Sequence, residues 1–150
     1  MKKQVLLLLS LFLSCFVLAQ RYSGPKPITR QEYLNEEYCS ALFKTSDGTI
    51  LDLENDPAAR AYGNILYWLQ GRVAGLNIYT SSTGTAIPYI RNQRATVYLD
   101  EIPVSSSFIN TIPSVDIAMI KVIKAPFAGT MPYGSGGVIA VYTVRGEEED

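Results

Sequence analysis

The residue types that this chain offers for catalysis are few, and histidine is not among them. Without imidazole, Ser-His-Asp and Cys-His nucleophilic sites and histidine-containing zinc sites are excluded. The remaining candidates are carboxylates: Asp52, Glu54 and Asp56 alternate along one segment, and Asp100 and Glu101 are adjacent. Two-acid catalysis needs a cleft and a fixed separation, whereas solvated loops and a helix cap explain these acids without one. We therefore expect no enzyme and no cofactor or metal, and an unrecognised carboxylate enzyme or small-ligand carrier is our third hypothesis.

A glycine-rich run, Gly134–Gly137, invites comparison with a phosphate-binding loop. Such a loop must open a helix, whose amides and dipole face the anion. This run precedes an apolar strand pattern instead, and it lacks the lysine of a phosphate loop. A turn that leads into a strand is the better interpretation.

The amino terminus has the composition of a signal peptide. Lys2 and Lys3 precede an apolar run from Val5 to Leu18, which is shorter than the ~20 residues of a membrane-spanning helix. The run ends at the small residue Ala19, so we predict a signal peptide over residues 1–19 and an exported protein. Two alternatives remain: a permanent anchor, and lipidation of Cys15, although Leu13 is bulkier than that route accepts.

The chain without its leader retains one cysteine, Cys39, which cannot form an internal disulfide. It is either a small residue in a partly buried segment or an intermolecular or reactive thiol. The sequence has 13 basic and 14 acidic residues, and four of the acids form the tail 147–150. The body is close to neutral without a basic stripe, so no nucleic acid is expected as a partner.

Residues 20–55 are predicted to be an amino-terminal arm or linker. A capping box of Thr29 and Glu32 indicates a short helix from Thr29 to about Cys39, and Asp47-Gly48 indicates a short hairpin. The strongest helix signal follows over residues 56–70, where Asp56 and Pro57 favour a helix start.

Gly71 supplies the left-handed residue that ends many helices, and a half-buried strand is predicted over Leu76–Tyr79. Further strands are predicted over Thr96–Leu99 and over two apolar stretches, "IAMIKVIK" and "VIAVYTV", which suit the interior of a sheet. Between them, "SSSFINTIPSVD" suggests helical turns. The predicted fold is α+β: a small mixed β-sheet with one well-defined helix and one or two short helices packed on it.

Four stretches of the chain together resemble one family. "LQGRVAGLNIY", "YIRNQRATVYLDEIPV", "IPSVDIAMIKVIKAP" and "MPYGSGGVIAVYTVRG" are similar, in order, to motifs of the plug domain of TonB-dependent outer-membrane receptors, particularly the starch-utilisation type of Bacteroidetes. The resemblance implies a plug-like domain over residues 56–146, followed by the acidic tail.

The sequence departs from that family at several points. Asn92 and Glu101 stand where the family has glycine, so we expect these two loops to turn without positive φ. No TonB box is recognisable, and the chain stops at Asp150, before any barrel. The resemblance therefore implies a plug that exists alone.

A lone plug is expected to be a non-catalytic, exported interaction module at the periplasmic side of the outer membrane. The resemblance implies a protein partner, such as an outer-membrane barrel or a TonB-system component, with membrane association only through that partner or a lipidated Cys15. The alternative is a remnant or split part of a receptor without independent activity. For each candidate site residue, fold maintenance by a structural turn is the competing role. The candidates are Gln70, Gly71, Arg72, Gly75, Asp100, Pro103, Tyr133, Gly134, Gly136 and Gly137.

Overall fold

A computed structural model of the chain describes residues 27–124, 127 and 136–146. The predicted signal peptide with Cys15, the candidates Tyr133 and Gly134, and the acidic tail lie outside these residues. In chain order, the elements are α1 (Arg30–Tyr38), α2 (Ala41–Thr45), β1 (Thr49–Asp52), α3 (Pro57–Arg60), α4 (Ile65–Leu69), β2 (Leu76–Thr80), β3 (Ala86–Ile90), β4 (Gln93–Arg94), β5 (Thr96–Leu99), β6 (Ile102–Val104), α5 (Ser106–Ile109), a 3₁₀ turn (Ser114–Asp116), β7 (Ile117–Ile123) and β8 (Val138–Thr143).

The main sheet has five strands in the order β1-β7-β8-β5-β6. β5 and β8 run parallel and the other neighbours are antiparallel, so the sheet is mixed. All seven residues of β7 are buried, and β8 lies between β7 and β5. This confirms the predicted α+β class and explains the continuous apolar runs, because both faces of these strands are covered.

One face of the main sheet packs against α3, α4 and a second sheet of order β2-β3-β4. The predicted helix over residues 56–70 is wrong as a continuous element, because it is divided into α3 and α4. The break follows from Gly63 and Asn64: the Asn64 side chain accepts from the Leu66 amide and donates to Asn110 Oδ1 at 2.7 Å. A helix that continued through Gly63 would be weakened by this glycine, whereas the Asn64 cap stabilises the start of a new helix, so the chain forms two helices.

The other face is covered by α1 and α2. The predicted capping box is present at Thr29 and Glu32, and Leu34, Tyr38 and Phe43 are buried against this face of the sheet. The predicted hairpin at Asp47-Gly48 is wrong: the residues before the turn form α2, and β1 pairs with β7. A nearby turn does not oblige its flanks to pair when β7 offers a longer apolar partner.

Two tight turns adopt a conformation that the sequence did not predict. Arg91 and Asn92 have φ of 52° and 65°, and Asp100 and Glu101 have φ of 45° and 69°. The expectation that these loops avoid positive φ is therefore wrong. Each loop joins paired strands through two residues, and only turns with positive φ match the twist of such short hairpins. The backbone keeps the geometry that glycine would favour, at a cost of about 1 kcal/mol per side-chain-bearing residue.

Within residues 27–124, 127 and 136–146, no helix has the length and apolar character needed to cross a membrane.

Candidate functional site

Several glycine positions and loops meet at the end of the main sheet where β5 and β8 begin. The Arg91 amide donates to Gly75 O at 2.9 Å, and the Thr96 amide donates to Gly137 O at 3.0 Å. A Cβ on Gly136 would overlap Arg94 O, and one on Gly137 would overlap Ile123 O. The structure thus places Gly75 beside Arg91, and the adjacent pair Gly136 and Gly137 beside Arg94 and Thr96, although Gly75 is distant from that pair in sequence.

Basic side chains surround this group, which we call the arginine end (Gly75, Arg91, Asn92, Arg94, Lys124, Gly136 and Gly137). Arg91 and Arg94 are exposed and Lys124 is half-buried. In the part of the chain that the structure describes, none of these three side chains forms an ion pair. Exposed guanidinium groups that form no ion pair with the described residues are well suited to carboxylates on another molecule.

Gln70 and Arg72 lie on the corner that leads to Gly75. Gly71 has φ of 81°, as the sequence predicts for the end of a helix, and Gly75 has φ of 80°. The Arg72 guanidinium donates to Trp68 O at 2.5 Å and lies over the Trp68 ring at 4.4 Å. Because these contacts are local, Arg72 stabilises the corner through hydrogen bonding and cation–π stacking.

The turn at Asp100 lies at the opposite end of β5, on the order of 10 Å away at the usual rise per residue. Asp100 accepts from the Thr143 amide at 3.0 Å and from Thr143 Oγ1 at 2.9 Å. Glu101 accepts from the Ser40 amide and hydroxyl and from the Tyr142 hydroxyl. We call Asp52, Glu54, Asp100 and Glu101 the carboxylate end; the structure does not bring it together with the arginine end.

The alternating acids Asp52 and Glu54 do share a face, and Arg30 binds both. Arg30 Nε lies 2.9 Å from Asp52 Oδ2, and Arg30 Nη2 lies 2.8 Å from Glu54 Oε2. Burial works against ionisation of Asp52, but hydrogen bonds from Arg30 and Asn55 outweigh it and lower the pKa of this carboxyl. A carboxylate that stays ionised in this way does not serve as a general acid.

A buried polar cluster beneath α1 and α2 was missed by the sequence analysis. Lys121 is 2% exposed, and its Nζ donates to Asn35 Oδ1 at 2.7 Å and to Phe43 O at 2.6 Å. Burial lowers the pKa of Lys121 and raises the pKa of the nearby Cys39 thiol. The one sequence signal for this cluster is a lysine, Lys121, inside an otherwise apolar strand pattern. Because Lys121 bonds Asn35 of α1 and Phe43 of α2, the cluster attaches both helices to the sheet.

A groove beside Tyr62, which we call the Tyr62 groove, is concave but has no acidic side chain in its lining. This groove, of about 450 Å³, is lined by residues 60–63 and 111–115, none of which is acidic. In the described ranges no three Asp, Glu or Cys residues are arranged to hold a metal ion.

Comparison of this sequence with models of protein families shows which family the chain belongs to. The family model for the TonB-dependent receptor plug domain matches residues 54–141, more than half of the chain. The chain belongs to this plug-domain family. The resemblance inferred from the four sequence stretches is thus confirmed, and the matched region of the plug contains both the arginine end's hairpin and the turn at Asp100.

Solved structures show where this plug fold occurs. The RagAB peptide importer in its closed-closed state is 24% identical with a TM-score of 0.53, over 71% of this chain and 13% of that one. A mutant of the ferric enterobactin receptor PfeA from Pseudomonas aeruginosa is 22% identical with a TM-score of 0.54, over 79% and 19%. The siderophore receptor PirA from Acinetobacter baumannii is 19% identical with a TM-score of 0.53, over the same shares. These similarities show the fold, and the chain spans less than a fifth of each structure's chain.

Among curated proteins, none matches this chain.

Proposed function

We propose that this plug is a non-catalytic docking module that joins a protein partner at the periplasmic side of the outer membrane. The partner is an outer-membrane barrel or a TonB-system component, and the role is linked to TonB-dependent uptake. Membership of the plug family supports a receptor-associated role without catalysis. The observation that carries the docking site is the contrast between the two ends of the main sheet.

At the carboxylate end the polar groups are engaged within the chain. Asp100 binds Thr143, Glu101 binds Ser40, and Asp52 binds Arg30. At the arginine end, Arg91, Arg94 and Lys124 are without ion pairs among the described residues. Exposed positive charge on the two-residue turn at Arg91 and on the adjoining strand at Arg94 complements an acidic protein surface and speeds its encounter.

The predicted site residues therefore divide into two roles. Gly136 and Gly137 shape the docking end by allowing close backbone approach, and Gly75 does so through its positive φ of 80°. Gln70, Gly71 and Arg72 hold the corner beside it. Asp100 and Pro103 belong to a structural turn. Tyr133 and Gly134 lie outside the described residues and stay sequence predictions.

A second candidate is that the chain works only as the plug portion of a TonB-dependent receptor, without activity of its own. The fraction of the solved receptors that it spans, 13% for RagAB and 19% for PfeA, favours this candidate. Both candidates place a protein partner against the plug, and they differ in whether the plug acts apart from a barrel.

The test is capture of partners by chemical crosslinking in intact cells, followed by identification in the envelope fraction. We compare the wild-type chain with a double variant, Arg91→Glu and Arg94→Glu, and with the control Arg60→Glu at the other end. Loss of a barrel or TonB-system protein from the double variant alone is the expected result. Equal capture by all three proteins would refute docking at the arginine end.

A further inference from the structure

The strands β5 and β6 separate at one end and leave a cavity between them. They pair at three positions, of which the last is Val97 with Val104. Beyond Val104 the chain leaves the sheet to form α5, whereas the residue before β5 leads back to Arg94 in β4. The cavity, of about 310 Å³, is lined by residues 94–97 and 104–106, and we call it the Ser106 cavity. Its volume lies at the lower end of the range for small-molecule sites.

Ser106 is a buried polar residue in the wall of this cavity. It is 5% exposed, and its hydroxyl forms no hydrogen bond with the described residues, whereas the Ser105 hydroxyl bonds the Ser107 hydroxyl and accepts from the Phe108 amide. Among the described residues, Trp68 Nε1 is the one completely enclosed side-chain nitrogen or oxygen without a partner. The Ser106 hydroxyl therefore reaches open space, and the cavity that it lines is that space. Buried hydroxyls normally have a hydrogen-bond partner, so this one is available as a donor to a bound molecule.

Arg94 is the one charged residue in the lining of the Ser106 cavity. Its side chain is exposed and forms no ion pair in the part of the chain that the structure describes. A guanidinium binds a carboxylate through two parallel hydrogen bonds. A single positive charge matches a monocarboxylate better than a phosphate, which carries close to two negative charges at neutral pH.

The remaining wall of the cavity is apolar and determines what the carboxylate is attached to. Ala95 and Val97 are buried, and Val104 is half-buried. Aliphatic carbons gain free energy when they leave water and pack against such side chains. The lining therefore suits a short aliphatic chain that ends in a carboxylate.

We infer that the Ser106 cavity binds a small aliphatic monocarboxylate. The Arg94 guanidinium binds the carboxylate, the Ser106 hydroxyl donates to one of its oxygens, and Val97 and Val104 pack against the aliphatic chain. This inference goes beyond the proposed docking function, because the ligand is a free small molecule and not a protein partner.

Binding is measured by titrating the full chain with butyrate and following the backbone amides of Thr96 and Ser106 by NMR. Saturable shifts of both amides are expected at millimolar butyrate, an ordinary affinity for a ligand of few atoms. Butyramide has nearly the same shape without the charge, and should bind about tenfold more weakly because charge-assisted hydrogen bonds are the stronger ones. Inorganic phosphate should also bind more weakly than butyrate.

Two variants and one matched control assign the contacts. Arg94→Gln should weaken butyrate binding about tenfold, whereas Arg91→Gln, at an exposed arginine outside the lining, should leave it unchanged. Ser106→Ala should weaken binding several-fold and leave the urea midpoint of unfolding unchanged, because this hydroxyl has no partner among the described residues. A serine that served the fold would lower the midpoint instead.

The inference fails if butyrate causes no saturable shift, if butyramide binds as tightly as butyrate, or if Arg94→Gln and Arg91→Gln weaken binding equally. Any of these results, together with loss of partner capture in the Arg91/Arg94 double variant, would leave docking standing and remove the small-acid site. Ser106→Ala distinguishes the two proposals further, since it should keep wild-type capture of the partner while it loses affinity for butyrate. Loss of capture in this variant would assign the cavity to a carboxylate of the partner and refute the small-acid site.

Discussion

The two ends of the main sheet are built from the same kind of two-residue turn, yet they use their side chains differently. At the carboxylate end, Asp100 and Glu101 occupy positive φ and their carboxylates fasten β8 and Ser40. At the arginine end, Arg91 and Asn92 occupy positive φ, and the Arg91 guanidinium makes no ion pair with the described residues. Backbone strain is thus present at both ends, and among the described residues the turn side chains of the carboxylate end are hydrogen-bonded within the chain, whereas the Arg91 guanidinium forms no ion pair.

We propose that this difference marks the arginine end as the surface that contacts a protein partner. Backbone strain persists where the surrounding structure or a function maintains it. Hydrogen bonds maintain it at Glu101, and we assign a partner to maintain it at Arg91. Of the four predictions that follow, the first compares a glycine at the arginine end with one away from it, the second tests the carboxylate end, the third compares the two turns, and the fourth tests the arginine end.

The largest effect is expected at Gly137, which has φ of 90° and no room for a side chain. Gly137→Ala combines left-handed strain with overlap on Ile123 O, and should lower the free energy of unfolding by about 3 kcal/mol. The matched control is Gly84→Ala, with φ of 81° and no atom within 4 Å, which should lose only about 1 kcal/mol. Urea unfolding of both variants measures the difference, and equal losses would mean that close packing at the arginine end contributes nothing.

The second prediction concerns alkaline stability at the carboxylate end. Burial, together with the bond to Glu54, raises the pKa of Tyr38 to about 12 from 10.0. In that interval the unfolded chain releases the proton and the folded chain keeps it, so stability is full below pH 10 and falls as the pH rises toward 12. The loss from this residue should be roughly 2 kcal/mol.

Chemical unfolding at pH 9 and at pH 11.5 measures that loss. Tyr38→Phe should reduce this loss of stability. It should not abolish the loss, because burial also raises the pKa of Tyr142, which this variant keeps. An unchanged loss in the phenylalanine variant would contradict the assignment.

The third prediction exchanges the strained turn residues for glycine. At the carboxylate end, Glu101→Gly relieves strain but removes the bonds to Ser40 and Tyr142, and should destabilise the fold by about 1 kcal/mol. At the arginine end, Asn92→Gly should change stability by less than about 0.5 kcal/mol, since asparagine tolerates this region. If Glu101→Gly instead stabilised the chain in thermal unfolding, the carboxylate contacts would not be holding the turn.

The smallest effect on stability is expected for the arginines themselves. Arg91→Gln and Arg94→Gln should each change the free energy of unfolding by less than about 0.5 kcal/mol, as for exposed substitutions away from specific contacts. A loss above about 1 kcal/mol in either variant would show that its side chain serves the fold, and the distinction between the ends would disappear.

Much of the fold was predictable because several elements carry their own local signal. Alternation predicted a strand over Leu76–Tyr79, which the structure extends to Thr80. Continuous apolar runs identified β7 and β8, and Thr29 with Glu32 marked the start of α1. The break between α3 and α4 was not predicted, since the apolar spacing of Ile65, Trp68 and Leu69 suits one long helix equally well. The helix breaks at Asn64 because its side chain caps α4 and donates to Asn110, a residue that is distant in sequence.

The site was less predictable, because its parts come together only through strand order. Gly75 meets Arg91 through the β2–β3 pairing, and Gly136 meets Arg94 through the return of β8 beside β5. Glu101 with Ser40 and Lys121 with Asn35 are likewise separated by 61 and 86 positions in the chain. Local patterns carry no information on such pairs, so the sequence named the glycines but not the residues that they contact.

The central claim, that the arginine end faces a protein partner, is tested most directly by photo-crosslinking in intact cells from single positions. A photoreactive residue is placed at Asn92, and at Pro103 as the matched position on the carboxylate end; both are exposed in the structure. We expect a specific envelope-protein adduct from position 92 that Arg91→Glu with Arg94→Glu abolishes, and none from position 103. The same adduct from both positions, or an adduct from position 103 alone, would contradict the account.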